Sequence, residues 1–571
     1  MAGRMAARRL VRKGAASGNG AAEGGGKLQT CLQHACNLLA TIGALRWGSS
    51  GAGEGVTVQA CLSASAQSQR VICEAEAAEC VRVLAAFRLA TRGTYATGLE
   101  VTFRSKAVYL LPVAFLLMIS RPELSGTAAG STSTAPVELG RQITSGPGGR
   151  IVSNTGIWSP DSEWIVYDTR SDASGSVFDG ATIEMVNVET GQVKELYRAQ
   201  NGAHCGVVTF HPHDWKVVFI LGPEHPTADW QYCAWHRQGV VVEISQPGVK
   251  ANLDARDIVP PFTAGALRGG SHVHVWDYAG RWVSFTYEDH VLAQFKSATP
   301  TSDINQRNIG VSIPGHPVRV NHANPRNHDG DYFSVLVTRT TSEPRPGSDE
   351  ISRACEEGWV GTNGYVRRDG SRQNHALAFQ GEIVSREGAA VAEVFIADLP
   401  DDLTIPGDGP LCGTETRAPY PPRGTVPRRL THTAERRFPG VQGPRHWLRG
   451  SPDGSRIAFL MKDDAGVAQL WTVSPNGGEL RQLTRNRWPV ASAFTWSPDG
   501  REIAHVMDNS VCVTSVASGQ TKRFTARTDD ASSPRPEACV FSPDGKWIAF
   551  VRRLPSPGLP ANQICVVRVR E

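Results

Sequence analysis

The chain has 571 residues, 40% of them hydrophobic and 20% charged, and its 59 Lys and Arg against 55 Asp and Glu leave a formal charge of +4. That length supplies a core of any size, and the basic residues are scattered apart from a short cluster at the start, so no charged face of the kind nucleic acid requires is present. The 12 cysteines form no C-x-x-C pair, which argues against a zinc ribbon or a redox motif.

In chain order, the first hundred residues are rich in Ala and Gly, hold Cys31, Cys36, Cys61, Cys73 and Cys80, and open with Arg4, Arg8, Arg9, Arg12 and Lys13. They carry no repeated pattern. In the stretch "FRSKAVYLLPVAFLLMISRPELSGTAAGSTSTA", Arg104 and Lys106 precede an apolar run from Ala107 to Ile119, and small residues follow that offer cleavage after Ala129 or Ala135. This is the layout of a signal peptide. The run falls short of the roughly 20 residues that cross a bilayer, so a transmembrane helix is the weaker reading, with an uncleaved anchor as the alternative to cleavage. The expectation is therefore a low-complexity segment over 1–100 that is not translated, real translation starting near Leu99 or Val101. A signal peptide-like segment over 101–136 follows, then a mature domain over 137–571, periplasmic or secreted, with no membrane span after signal removal. A buried strand or helix of an N-terminal domain is the other reading of the apolar run.

The remainder is repetitive. "GIWSPDSEWIVYDTR" from Gly156, "GSPDGSRIAFLMKDD" from Gly450, "TWSPDGREIAHVMDN" from Thr495 and "VFSPDGKWIAFVRRL" from Val540 share one pattern, an apolar strand, a Pro-Asp-Gly turn and an alternating strand. The prolines at 452, 498 and 543 recur every 46 and 45 residues, the length of a four-stranded unit. Worn copies start at Val208, His274 and Asn324, and Tyr365 offers an eighth. The turn followed by I-A-F resembles the TolB-type, WD40-like repeat, and the resemblance implies an all-β propeller. The turns predict seven blades, with six to eight compatible. "ELGRQIT" from Glu138 has the form of an outermost strand before any turn motif has appeared, so the ring is expected to close through it, on the blade holding Phe541. No G-x-S-x-G pentapeptide occurs, which argues against a hydrolase nucleophile elbow. Two insertions interrupt the pattern. Ser342 to His375 predicts a short helix over Ser348 to Glu357 and a stacking surface at Trp359 and Tyr365; Asp401 to Arg445 is rich in Pro and Gly.

Histidines stand out because repeats do not need them. His272, His322 and His446 each lie four residues before the aligned turn position, near the start of an innermost strand, and His274 follows two residues after His272, on the same side of a regular strand. Imidazoles converging at one mouth of the channel suit a divalent metal, Mn or Zn. The His-x-His pair resembles oligogalacturonate lyase, and that resemblance implies a manganese held by histidines and a glutamine; Gly269 stands where the glutamine is expected. The bland alternative is that these histidines satisfy strand ends and turn carbonyls. Two functions stay open. One is a monomeric scaffold that binds a protein or glycan at the propeller funnel; the other is a metal-dependent carbohydrate-active enzyme, uronate lyase-like.

Overall fold

In the computed structural model, residues 139–571 are described apart from 173, 174, 176, 445, 446, 557–559 and 571. The segments expected over 1–100 and 101–136 lie outside the described residues, and so does His446. The repeated turn decides the local structure. In Ser497-Pro498-Asp499-Gly500 the Ser497 hydroxyl donates to Asp499 Oδ1 (2.6 Å) and accepts from the Glu502 amide (3.0 Å), while Gly500 takes φ +70°. That left-handed position suits glycine, which has no Cβ to clash. The turns at Ser451 and Ser542 are built alike. In the turn at Ser159 the left-handed residue is Ser162, at φ +64°.

Each such turn carries an innermost strand into a second strand, and two more antiparallel strands complete a sheet. Seven four-stranded sheets result. Their innermost strands are Gly149–Ile151, Cys205–Phe210, Gly269–Trp276, Arg353–Trp359, Arg449–Gly450, Thr495–Trp496 and Pro534–Phe541, which number the blades 1 to 7. Strands alternate in direction, so all innermost strands start at one mouth of the channel and end at the other. The expected closure is present. Arg141–Gln142 pairs with Ala561–Arg568 as the fourth strand of blade 7, Arg141 opposite Val566 and Gln142 opposite Cys565, and the Ile143 amide donates to the Ile564 carbonyl (2.9 Å).

Neighbouring blades share apolar cores, and tryptophans of the turn motif tie them together. The indole of Trp496 donates to the Arg449 carbonyl (2.9 Å), Trp359 to Val275 (3.0 Å) and, across the closure, Trp158 to Val540 (3.2 Å), each reaching the innermost strand of the preceding blade.

Three expectations are corrected. The segment from Asn324 is not a blade turn: it lies in the connection from the third strand of blade 3, Asn308–Ile313, to its outermost strand, Phe333–Leu336. Residues 348–357 form no helix; from Arg353 on they belong to the innermost strand of blade 4, whose turn is the long hairpin that Tyr365–Val366 and Arg372–Gln373 build. Trp359 and Tyr365 are buried, Tyr365 donating to Asp398 (2.9 Å), so they offer no stacking surface.

Removing residues 139–144 is expected to destabilise the ring by about 3–5 kcal/mol, the combined cost of unburying Ile143 and breaking its strand bonds. Thermal unfolding should show one lowered transition. A separate early transition, with the main one unmoved, would contradict ring closure as the source.

Candidate functional site

Three consecutive innermost strands carry a bulge at the same place. The register slips between Gly206 and Thr209, His272 and Val275, and Cys355 and Gly358, and Val207, Val273 and Glu356 have φ of +57°, +61° and +58°. A valine there is an outlier that the surrounding sheet must hold in place. The bulge also decides where the histidine pair points. An extra residue breaks the period of two, so His272 and His274 do not share a face. His274 turns toward blade 2. Its Nε2 meets Ser271 Oγ (3.0 Å), Ser271 donates to Asp254 Oδ1 (3.1 Å), and the Gly239 amide donates to the same oxygen (2.8 Å). Burial lowers the His274 pKa to about 3 and raises that of Asp254 to about 6. His272 pairs instead with Thr286, whose hydroxyl donates to Glu357 Oε2 of blade 4 (3.0 Å).

His322 does not join them. It is exposed in the connection to the outermost strand of blade 3, bonded to Asp329 (3.0 Å), because the segment that aligned it with a blade turn is not one. Among the described residues no group of three or more His, Cys, Asp or Glu gathers as the ligands of one ion would. Of the expected set, His272 and His274 face opposite sides of a blade and His322 is elsewhere. These donors do not fit a single manganese or zinc ion.

The bulges align Glu357 with His274. Glu357 is 2% exposed, Oε1 has no partner, and burial lifts its pKa from 4.5 to about 7 against the opposing pull of Thr286 and Arg449. Arg449, at the start of the innermost strand of blade 5, is lowered to about 10 by burial, with Glu356, Tyr278 and Glu357 favouring its charge. Half-buried Arg449 and the buried carboxyl of Glu357 thus act on one another electrostatically. Toward the other mouth, where innermost strands end, the turn of blade 3 and the long hairpin of blade 4 enclose a cleft of about 760 Å³. Gly364 makes that hairpin feasible: it has φ +68°, and a Cβ there would lie 1.8 Å from the Gln373 carbonyl oxygen. In the cleft the His375 ring stacks on Trp282 (3.9 Å between centroids, 9° between planes), and Nε2 lies 3.7 Å from Asp277 Oδ2. Burial lowers the His375 pKa against the attraction of Asp277 and Asp401, and Nδ1 is buried without a partner. Exposed Tyr278, Arg281, Arg372, Asn374 and Asp401 also line it.

Blade 4 hid these residues from sequence reading because its turn lacks Pro-Asp-Gly. The available signal was Trp359 before the glycine-rich "VGTNG", the same place that Trp276 and Trp496 hold in their blades.

Residues 204–328, which run through blades 2 and 3, match the family described as protein of unknown function DUF3748. The uncharacterized protein YidR of Escherichia coli (strain K12) is 49% identical over 415 residues, 72% of this chain and 94% of YidR. The chain belongs to the YidR family. Solved structures similar to this YidR-family chain include oligogalacturonate lyase in complex with manganese, with a TM-score of 0.44, 13% identity and coverage of 75% of this chain and 93% of that one. A putative TolB from Agrobacterium tumefaciens has a TM-score of 0.34, 13% identity and coverage of 68% and 98%. These likenesses concern the propeller fold.

A carboxyl whose pKa is raised by folding binds a proton that the unfolded chain has released, so its contribution to stability falls as pH rises from 4.5 through about 7. Glu357→Gln is therefore expected to raise the thermal midpoint at pH 8 and to change it little near pH 4.5. The difference corresponds to up to roughly 3 kcal/mol. Equal shifts at both pH values would show that Glu357 is ionised like an exposed glutamate.

Proposed function

We propose that this protein is an exported binding propeller that holds a carbohydrate in the cleft between blades 3 and 4. One observation carries the reading: the cleft of about 760 Å³ is lined by exposed side chains of which Arg281 and Arg372 donate, Asp401 accepts and Asn374 does both, beside exposed Tyr278. Sugars present hydroxyls in pairs and one apolar face, and a concave site with a few fixed polar groups and an aromatic answers both. Asp277 is held rigidly, accepting the amides of Arg281 (2.7 Å) and Trp282 (3.0 Å) through one oxygen and leaving the other toward His375. Export rests on the signal peptide-like segment. N-terminal sequencing of the protein recovered outside the cytoplasm should begin between Gly130 and Pro136; peptides from residues 1–95 would exclude the processing scheme.

The test is titration calorimetry of the mature protein against a panel of neutral and acidic oligosaccharides. At least one should bind saturably, and Arg281→Ala and Asp401→Ala should each weaken it about tenfold while the thermal midpoint stays put, since both side chains are exposed. Binding that survives both substitutions, or no binding to any sugar, removes the cleft from consideration.

Glu357 supports a second reading, a carbohydrate-active enzyme. With a pKa near 7 it accepts a proton at slightly alkaline pH, as a base in β-elimination from a uronate does. Unsaturated product formed from uronate oligosaccharides and lost in Glu357→Gln is the expected signature; no product in the unaltered protein leaves the binding reading alone.

A further inference from the structure

The second strands of blades 1, 2, 3 and 7 are each entered through a tryptophan placed alike after the turn, Trp164, Trp215, Trp282 and Trp547. Three of these indoles are covered by the chain itself. The Lys194 ammonium lies 4.3 Å from the centre of the Trp164 ring, His375 stacks on Trp282 (3.9 Å), and Arg141 and Arg568 stand over Trp547 (5.7 Å each). Trp215 differs, being 42% exposed. Among the described residues no cationic side chain or stacked ring covers it, and Phe210 meets it nearly at right angles, 6.0 Å away.

The register shows why this face is open. In blade 1 Lys194 pairs with Met185 and Met185 with Val166, two residues after Trp164; in blade 2 Lys250 pairs with Val242 and Val242 with Val217, two residues after Trp215. Lys250 therefore holds the place of Lys194. Its ammonium is taken by Glu224 instead, and the indole keeps an apolar face in water. The turn that carries Trp215 leans on the turn of blade 3: His211 Nε2 donates to the Gly280 carbonyl (2.7 Å) and His213 Nε2 to that of Tyr278 (2.7 Å). Tyr278, 40% exposed, lines the cleft. Around this mouth the order is thus Trp215, Tyr278, cleft.

We propose, on the carbohydrate reading of the cleft, that Trp215 is an outer stacking subsite for the same ligand, which is then an oligosaccharide long enough to run past Tyr278 to blade 2. The apolar face of a sugar ring lying on the indole withdraws both from water, as the side chains over Trp164, Trp282 and Trp547 do within the chain. A cationic group also suits an indole. Continuity with the cleft favours the sugar.

The mature protein is titrated by calorimetry with cello-, malto-, xylo- and alginate oligosaccharides, each as disaccharide and hexasaccharide, and with choline. At least one hexasaccharide is expected to bind about tenfold more tightly than its disaccharide, and Trp215→Ala to remove that difference while leaving the disaccharide unaffected. Trp488→Ala, at the other exposed tryptophan among the described residues, changes neither. Should Trp215→Ala prove unfolded by circular dichroism, acrylamide quenching of tryptophan fluorescence in Trp488→Ala decides, since the hexasaccharide and not the disaccharide must shield Trp215. A disaccharide that binds as tightly as its hexasaccharide, or a hexasaccharide advantage that survives Trp215→Ala, overturns the proposal and leaves the cleft reading standing. With that advantage absent, choline binding that Trp215→Ala abolishes assigns the ring to a cationic partner instead. Binding of no sugar at all removes the cleft reading and the proposal together.

Discussion

A propeller blade touches only its two neighbours, so the shape of the central channel depends on how each innermost strand is fixed to the next. That strand is an edge. Its channel side has no fifth strand to pair with, which leaves backbone carbonyls there without ladder partners. The turn-motif tryptophans meet some of this need. A buried indole N–H must find an acceptor, and Trp158, Trp359 and Trp496 each find one on the preceding innermost strand. One such bond contributes only about 1 kcal/mol net, but it sets the angle between blades. Among the turn-motif tryptophans Trp276 is the exception. Trp276 Nε1 is buried without a partner, and the tie between blades 2 and 3 is made instead by the Thr209 hydroxyl, which donates to the His274 carbonyl (2.8 Å).

What could be read in advance follows from this division of labour. The turn chemistry of Ser, Asp and Gly is local, so four copies were legible, and Glu138 to Thr144 was legible as a closing strand because an outermost strand without a blade has only one place to go. The blade count came out at seven through two errors that cancel. Asp-Gly at Asp329 and Gly330 has the turn's chemistry without its position and serves a third-to-fourth strand connection, whereas the blade 4 turn achieves the same reversal with Gly361 and Gly364 and no Pro-Asp. The bulges were not legible at all. Val207 and Val273 hold positive φ because neighbouring backbone and Asp168, which accepts the Val207 amide (2.9 Å), leave no alternative, and valine is the last residue whose presence signals such a conformation. Without the bulge, His272 and His274 read as one pair. With it, His274 belongs to the joint between blades 2 and 3, and His272 to the next.

The bulge also decides the surroundings of Glu357. In blade 4 the inserted residue sets Glu357 against Thr286 of blade 3, while Gly358 faces the backbone of Leu448 in blade 5, where a Cβ would lie 2.4 Å from the carbonyl oxygen. Glu357 then receives a hydrogen bond from Thr286 of blade 3 and keeps Oε1 buried without a partner. One neutral donor does not offset the cost of burying a charge, so the carboxyl holds its proton to near neutrality. Arg449 stands on the far side of Gly358 with Nε unpartnered, and its attraction lowers the Glu357 pKa without cancelling the effect of burial. A second hydrogen bond to Oε1, from Arg449 or from a ligand, would favour the ionised form and release the proton. The raised pKa of this carboxyl therefore arises because an inserted backbone residue, rather than a change of side chain, buries an acid in the joint with blade 3.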